Sequence, residues 1–321
     1  MHDKSVLVEE VSSIAVLEAV TKLSKDLKRI AGTLSPDEAR FLVNSYYTVQ
    51  KDRIRAGNQV KSLEKRGEPC HLLKWLHEQF MLLEKQIALA LDRYSKSHPV
   101  GQWMRNIKGV GPVISAGLLA HLDIEKAPTA GHFFSFAGLN PQAEWKPGER
   151  RPWNARLKTL CWKLGESFVK TANRDGSIYG PLYAQRKKEE WEKNLRGEYV
   201  EKAAYYLNKF KFRQTTEAYK WLSGQVCPQD AEKFIKGEIT KLPDKPSGPG
   251  VPMLPPGHIH ERAKRWAVKI FLSNLHEVWY EWYYKKPAPA PYPLAYLGHA
   301  HKIEPANKII SLPESEPSSG E

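Results

Sequence analysis

Cysteine is scarce and scattered. The three in 321 residues, Cys70, Cys161 and Cys227, form no C-x-x-C pair and no even framework, which excludes a disulfide scaffold and suits a reducing cytoplasm. Long apolar runs are missing as well: none approaches the roughly 20 residues that span a bilayer, and the mean hydropathy is -0.54. The opening Met1-His2-Asp3-Lys4-Ser5 has no basic stretch leading into an apolar one, so no secretory signal is read there. Acidic charge is also in short supply. Asp and Glu number 36 against 49 Lys and Arg, a net charge of +13, with a pI near 9.4. A chain with that balance attracts polyanions, with nucleic acid or an anionic membrane surface first.

What is present is mostly helical pattern. Apolar content of 41 % supports a packed core, and the length suits two domains or one with appendages. Residues 1–34 read as an amphipathic helix carrying Val8, Val11, Ile14, Leu17 and Leu27. Ser35 and Pro36 mark a helix start, as N-cap and first position, of a helix running to Arg66 and stopped by Gly67. After Pro69 a second long stripe repeats every three or four residues through Leu72, Leu76, Phe80, Leu83, Ile87 and Leu91. The pair predicts a helical hairpin or coiled-coil arm, with a homodimer through these helices as a further expectation.

Ile107-Lys108-Gly109-Val110-Gly111-Pro112 follows, flanked by Trp103 and Met104 on one side and Val113, Ala116, Leu118 and Leu119 on the other. Apolar residues, Gly-x-Gly and then a small-residue helix predict a helix-hairpin-helix. Gly109 and Gly111 can adopt positive φ and admit a phosphate close to the backbone. Pro112 suits a first helical turn, whose free N–H groups and partial positive charge favour an anion. Lys108 adds a mobile cation beside them. The competing reading is an ordinary Gly-containing turn between two core helices.

Downstream, Thr129 caps a short helix through Phe133, Phe134 and Phe136. A basic loop then interleaves aromatics and cations: Trp145, Lys146, Arg150, Arg151 and Trp153. Such a loop suits phosphate pairing with base stacking, or else its tryptophans pin it to the core. Asn154 caps the next helix, where Arg156, Lys158, Lys163 and Lys170 lie largely away from the stripe of Leu157, Leu160, Leu164 and Phe168, a rail suited to a phosphate backbone. Between 150 and 220 there are seventeen Lys and Arg against eight Asp and Glu, part of them in a mixed-charge helix over 185–194. Lys209-Phe210-Lys211-Phe212-Arg213 fits a strand or a helix end. Residues 242–257 are dense in Pro, Gly and Ser and read as a linker or extended loop. A long helix beginning near His258 buries Ala263, Trp266, Ala267, Ile270, Phe271, Leu275, Val278, Trp279 and Trp282. The pairs His258/His260 and His299/His301 sit in loop-like context without a carboxylate or cysteine at ligand spacing, so no metal site is expected.

The fold class is therefore mainly α, a helical arm followed by a helical domain with the hairpin. Boundaries are expected at 1–99 for the arm, 100–173 for the hairpin domain and 174–257 for a basic insertion with its linker. A closing helix at 258–286 and a Pro-rich, disordered tail at 287–321 complete the chain.

The series Ile107 to Pro112, Ala116-Gly117-Leu118-Leu119-Ala120, Phe133 to Phe136, Ala137-Gly138-Leu139-Asn140-Pro141 and Asn154-Ala155-Arg156-Leu157-Lys158-Thr159-Leu160 resembles the C-terminal domain of insertion-sequence transposases of the IS one-ten / one-sixteen group. The match runs from Trp103 to about Asn173, with His260 through Phe271 similar to that domain's closing helix. The resemblance implies RNA-guided DNA recombination in a mobile element of bacteria or archaea. It also implies a RuvC-like domain whose four acidic residues bind Mg²⁺ and a serine nucleophile in the C-terminal domain. This sequence departs from that pattern twice. No strand ending in an acid precedes the hairpin, so the RuvC-like domain is not found. The segment Glu144-Trp145-Lys146-Pro147-Gly148, where the serine belongs, has none.

Two main readings follow. One is a DNA-binding protein of transposase type, acting in or derived from DNA transposition, with Lys108, Gly109, Gly111, Trp145, Lys146, Arg150, Arg151, Arg156 and Lys158 as the nucleic-acid site. Its partners are DNA and a structured guide RNA, not a membrane, and its location is the cytoplasm. The other is an active transposase with unrecognised or partner-supplied catalytic residues, needing Mg²⁺ only in that case. A structural helical dimer and a hairpin-containing glycosylase are the remaining alternatives.

Overall fold

The computed structural model describes residues 22–141, 143–291, 302–306 and 308. Twelve α-helices and no strand occur among them, so the fold is mainly α. No helix there is long and apolar enough to cross a membrane. The expected helix over 1–34 lies outside the described residues up to position 21, as does most of the Pro-rich tail. The chain divides into two compact units. One comprises Met1–Asn106, Val110–Lys126 and Asn307–Glu321, the other Ile107–Gly109 and Ala127–Ala306.

In the first unit a short helix α1 (Lys25–Ile30) leads into α2 (Pro36–Lys65) and α3 (His71–Ser97). The start of α2 is set locally. Ser35 Oγ caps the Glu38 amide at 3.2 Å while Glu38 returns to the Ser35 amide at 2.9 Å, satisfying two orphan donors reciprocally. At its end Arg66 is the C-cap, and Gly67 turns the chain at φ 70. The two long helices pair along their lengths, joined by the half-buried Gln50 and Arg53 on Glu84. Beyond α3 the chain bends at His98 into α4 (Pro99–Arg105), and α5 (Pro112–His121) follows. Helix α5 is apolar on nearly every side: Val113 and all of Ser115 to Ala120 are buried. A helix apolar all round belongs in a core, here with Leu91, Val100, Trp103 and Met104.

The second unit holds α6 (Ala130–Phe136), α7 (Ala155–Lys170), α8 (Tyr179–Leu195), α9 (Val200–Lys209), α10 (Glu217–Leu222), α11 (Pro228–Lys236) and α12 (Pro256–Tyr284). Helices α6, α7 and α8 all pack on α12, the spine of this unit. Phe168 of α7 stacks on Tyr179 of α8 at 5.0 Å, and both lie against Phe271 of α12. Of the apolar residues expected inside α12, Ala263, Ala267, Phe271, Leu275, Val278 and Trp279 are buried, whereas Trp266, Ile270 and Trp282 are only partly covered.

A second cluster unites Trp191, Ala203, Trp221, Leu222, Val226, Ala231, Met253, Leu254 and Ile259. Residues 242–255 contain no helix, yet their last part is built into this core. Met253 and Leu254 are fully buried, and the Asn194 side-chain amide pairs with both backbone groups of Leu254 at 2.9 and 3.0 Å. The Lys209 to Arg213 segment resolves as a helix end, because α9 stops at Lys209 and Phe210 turns to extended backbone.

Candidate nucleic-acid interface

The Gly-x-Gly turn links α4 to α5, and the chain passes from one unit to the other and back within it. In the second unit, Gly109 takes φ 98, a left-handed conformation that favours glycine. Its carbonyl accepts a hydrogen bond from Ser167 Oγ at 2.6 Å, and a Cβ would come within 3.3 Å of Thr171 Oγ1. Gly109 is thus required both by its torsion and by the close passage of α7. Lys108 is exposed, and its ammonium donates to the Asp175 carbonyl, so the expected mobile cation is tethered to the α7–α8 connection.

In the first unit, Arg105 donates to the Val110 carbonyl at 2.8 Å and to Asp92 at 3.0 Å, fixing the turn's exit. Gly111 is the N-cap of α5 with φ -79 and ψ 173. The expectation of a positive φ there is corrected: this is ordinary extended backbone, favoured before proline by the clash of the ring with a helical predecessor. A Cβ on Gly111 would meet nothing within 4 Å. No side chain caps α5, which leaves its first-turn amides facing whatever approaches that end.

The aromatic-basic loop is tied down from within. Trp145 Nε1 donates to the Glu149 carbonyl at 2.8 Å, and the Asn154 amide donates to the Phe136 carbonyl at 2.9 Å. Trp145 and Trp153 meet edge to face at 6.5 Å. Each ring carries its own cation: Arg151 lies 4.9 Å over Trp145 and Lys158 lies 4.2 Å over Trp153. Such pairs contribute about 0.5–1 kcal/mol at exposed sites. Lys146, Arg150 and Arg156 are exposed. As expected, Asn154 caps α7, accepting from the Arg156 and Leu157 amides at 3.0 Å.

Pairing with long-range partners, which the sequence reading missed, enlarges the basic surface. Burial, and then the charges of Arg265 and Arg151, push the Lys158 ammonium below the usual lysine range. Lys269 is lowered by burial and by Arg265. The signal was available: His258, Arg262, Arg265 and Lys269 are spaced by four, three and four residues, one face of a helix.

The histidines also move. His258 and His260 lie in the first turns of α12 rather than in a loop. His260 Nδ1 is 2.7 Å from the Tyr183 hydroxyl, and Glu166, His260 and Glu261 bring ligand-type atoms within 4.8 Å of one another. Carboxylates therefore do reach His260, one through the tertiary fold. The buried Lys264 ammonium pairs with both Glu166 and Glu261, so a side chain already occupies the space between these carboxylates and offsets one of their two charges. His299 and His301 lie outside the described residues. Among the described residues no three metal-ligating groups converge near Glu144, and this triplet at α12 is the group that does converge.

Residues 101–157 match the family model of the transposase IS116/IS110/IS902 family. The transposase-like segment starts at Gly101 in α4, spans the Gly-x-Gly turn, α5, α6 and the aromatic loop, and ends in the first turn of α7. No curated protein and no solved structure matches the chain.

Proposed function

We propose that the chain is a nucleic-acid-binding protein of insertion-sequence transposase type, in which the helix-hairpin-helix turn takes a DNA phosphate. Lys108, Gly109 and Gly111 form the grip. Trp145, Lys146, Arg150, Arg151, Arg156 and Lys158 extend the footprint along the backbone. Backbone contacts position a protein without specifying sequence, so a modest sequence preference is expected unless an RNA supplies it.

The observation that carries this reading is Gly111. Neither its torsions nor its neighbours demand a glycine, whereas a phosphate resting on the first-turn amides of α5 requires that no side chain stand in the way. Gly111→Val should keep the fold, losing only the roughly 1 kcal/mol by which glycine is preferred to valine at an N-cap. Its affinity for duplex DNA should fall by roughly tenfold, since a charged hydrogen bond contributes about 1.5–3 kcal/mol. Gel shifts across a salt series decide the matter. Wild-type binding that is absent or insensitive to salt, or equal binding by the variant, would sink the proposal. A structured RNA titrated in parallel tells which nucleic acid is preferred.

Exposed apolar side chains on the paired helices favour a second copy as partner of the arm. Leu72 is 82 % exposed and Trp75 55 %, one helical turn apart on the same face of α3. Sedimentation should show a dimer that Leu72→Asp with Trp75→Asp converts to monomer. A monomeric wild type at every concentration rules the dimer out.

A further inference from the structure

Helix α12 carries a basic stripe that the transposase-like segment does not include. His258, Arg262, Arg265 and Lys269 share one face, at helical spacing. Arg262 is neutralised by the buried Glu190. Arg265 and Lys269 have no ion pair among the described residues, and neither do Lys158 of α7 and Lys202 of α9. Lys269 lies over the Phe134 ring at 5.9 Å and Lys158 over Trp153 at 4.2 Å, so flanking aromatic rings hold two of these cations in place. His258 adds a ring nitrogen, Nε2, that is buried and has no hydrogen-bond partner.

We propose that Arg265, Lys269 and Lys202, next to Lys158 at the edge of the hairpin's footprint, form a second phosphodiester-binding site on the second unit, which engages the nucleic-acid backbone beyond the hairpin turn. The inference rests on the nucleic-acid reading above and names contacts outside the matched residues. Its physical basis is uncompensated like charge. Four cations from three helices gather around Arg265, whose charge acts on Lys158, Lys202 and Lys269, and the nearby carboxylate, Glu190, is already held by Arg186 and Arg262. Burial and then Arg262, with Arg265 adding to it, lower Lys202. Burial and then Arg265, Arg262 and Lys202 bring His258 down to about 4, so its ring is neutral at pH 7 and adds no charge to the cluster. A phosphodiester relieves that repulsion and releases its own condensed counterions. With 36 Asp and Glu against 49 Lys and Arg, not every cation can find a carboxylate, and on this helix Glu190, Glu166 and Glu261 go to Arg262 and Lys264 instead.

The test is the salt dependence of binding to a mixed-sequence DNA duplex, with a hairpin RNA of matched length alongside to tell which backbone is preferred. Each lost phosphate contact should make the slope of log K against log salt shallower by about one. The double variant Arg265→Ala with Lys202→Ala should therefore lose roughly two from the slope. Lys245→Ala, an exposed cation in the 242–250 loop, should leave it unchanged. Arg265 makes no hydrogen bond or ion pair among the described residues, so Arg265→Gln alone serves if the double variant unfolds, with a loss of about one. A wild-type slope in the double variant and in Arg265→Gln, or an equal loss in Lys245→Ala, overturns the proposal. If Gly111→Val weakens binding while the double variant does not, the hairpin reading stands and this one falls. Absence of binding by the wild type removes both.

Discussion

Gly101→Ala is expected to destabilise the first unit by about 3 kcal/mol or more. In a helix interior such a change ordinarily helps, because alanine is favoured over glycine by about 1 kcal/mol. Here the space decides otherwise. A Cβ on Gly101 would lie 1.9 Å from the Ser95 carbonyl oxygen and 2.8 Å from Leu119 Cδ1. The oxygen is backbone, in the last turn of α3, and it cannot swing aside as a side-chain tip can. Either α4 separates from the end of α3 or α5 shifts, and both elements are core. The unfolding midpoint should drop by roughly 6–12 °C. Gly111→Ala, with open space around it, should cost no more than the roughly 1 kcal/mol of a lost N-cap preference. A Gly101→Ala protein as stable as wild type would mean that the α3–α4 bend is not packed as described.

The second large effect centres on Glu190, whose side chain is 2 % exposed. Arg262 and Arg186 each donate to it at 2.6 Å and the Tyr199 hydroxyl at 2.7 Å. Burial alone would raise its pKa, but the bonds from Arg262 and Tyr199 outweigh that and bring it down to about 2, from an ordinary 4.5. Glu190→Ala strands two guanidinium groups in a desolvated place and should cost about 3–5 kcal/mol. The pH dependence has a definite sign. A carboxyl with a depressed folded-state pKa stabilises the protein fully above its unfolded value, and that stability is lost as pH falls through the folded one. The second unit should therefore lose about 3 kcal/mol from this group between pH 5 and pH 2. Glu190→Gln has no proton to bind and should lack that part of the acid slope. Denaturant unfolding at several pH values measures both, and identical acid slopes for wild type and Glu190→Gln would contradict the assignment.

The two predictions bear differently on function. Gly101 begins the transposase-like segment and sets the approach of α4 to α5, so its failure would misplace the turn before any ligand arrives. The Glu190 network anchors α8 and the start of α9, through its N-cap Tyr199, to the start of α12, the part of α12 that bears His258 and Arg265. Variants of the proposed phosphate contacts are informative about binding only while that network is intact.

Much of the local architecture could be read without coordinates. Ser35 and Glu38 announce α2, Asn154 announces α7, Gly67 ends a helix, and the apolar stripes of α2, α3 and α12 repeat at helical spacing. Each signal acts between residues no more than a turn or two apart, and capping and periodicity are physics on that scale. Mainly-α architecture and a basic polyanion-seeking surface follow from the same signals and the charge balance. Helices α9, α10 and α11 were not legible. At 10, 6 and 9 residues they span too few turns for periodicity to stand out from the surrounding Pro, Gly and charged residues, and their stability comes from tertiary burial.

The Gly-x-Gly turn shows where the sequence stops and the fold begins. That a turn would form there, with Pro112 opening a helix, was decided by the residues themselves. Only the tertiary structure separated the two glycines: Gly109 is held by its torsion and by Ser167, 58 positions away, while Gly111 is free to carry a side chain and has none. It likewise brought Lys158 within the field of Arg265 and placed Lys264 between Glu166 and Glu261. Lys158 and Arg265, like Glu166 and Lys264, lie about a hundred residues apart along the chain. No local propensity reaches that far; the packing of α7, α8 and α9 on α12 puts the charges together.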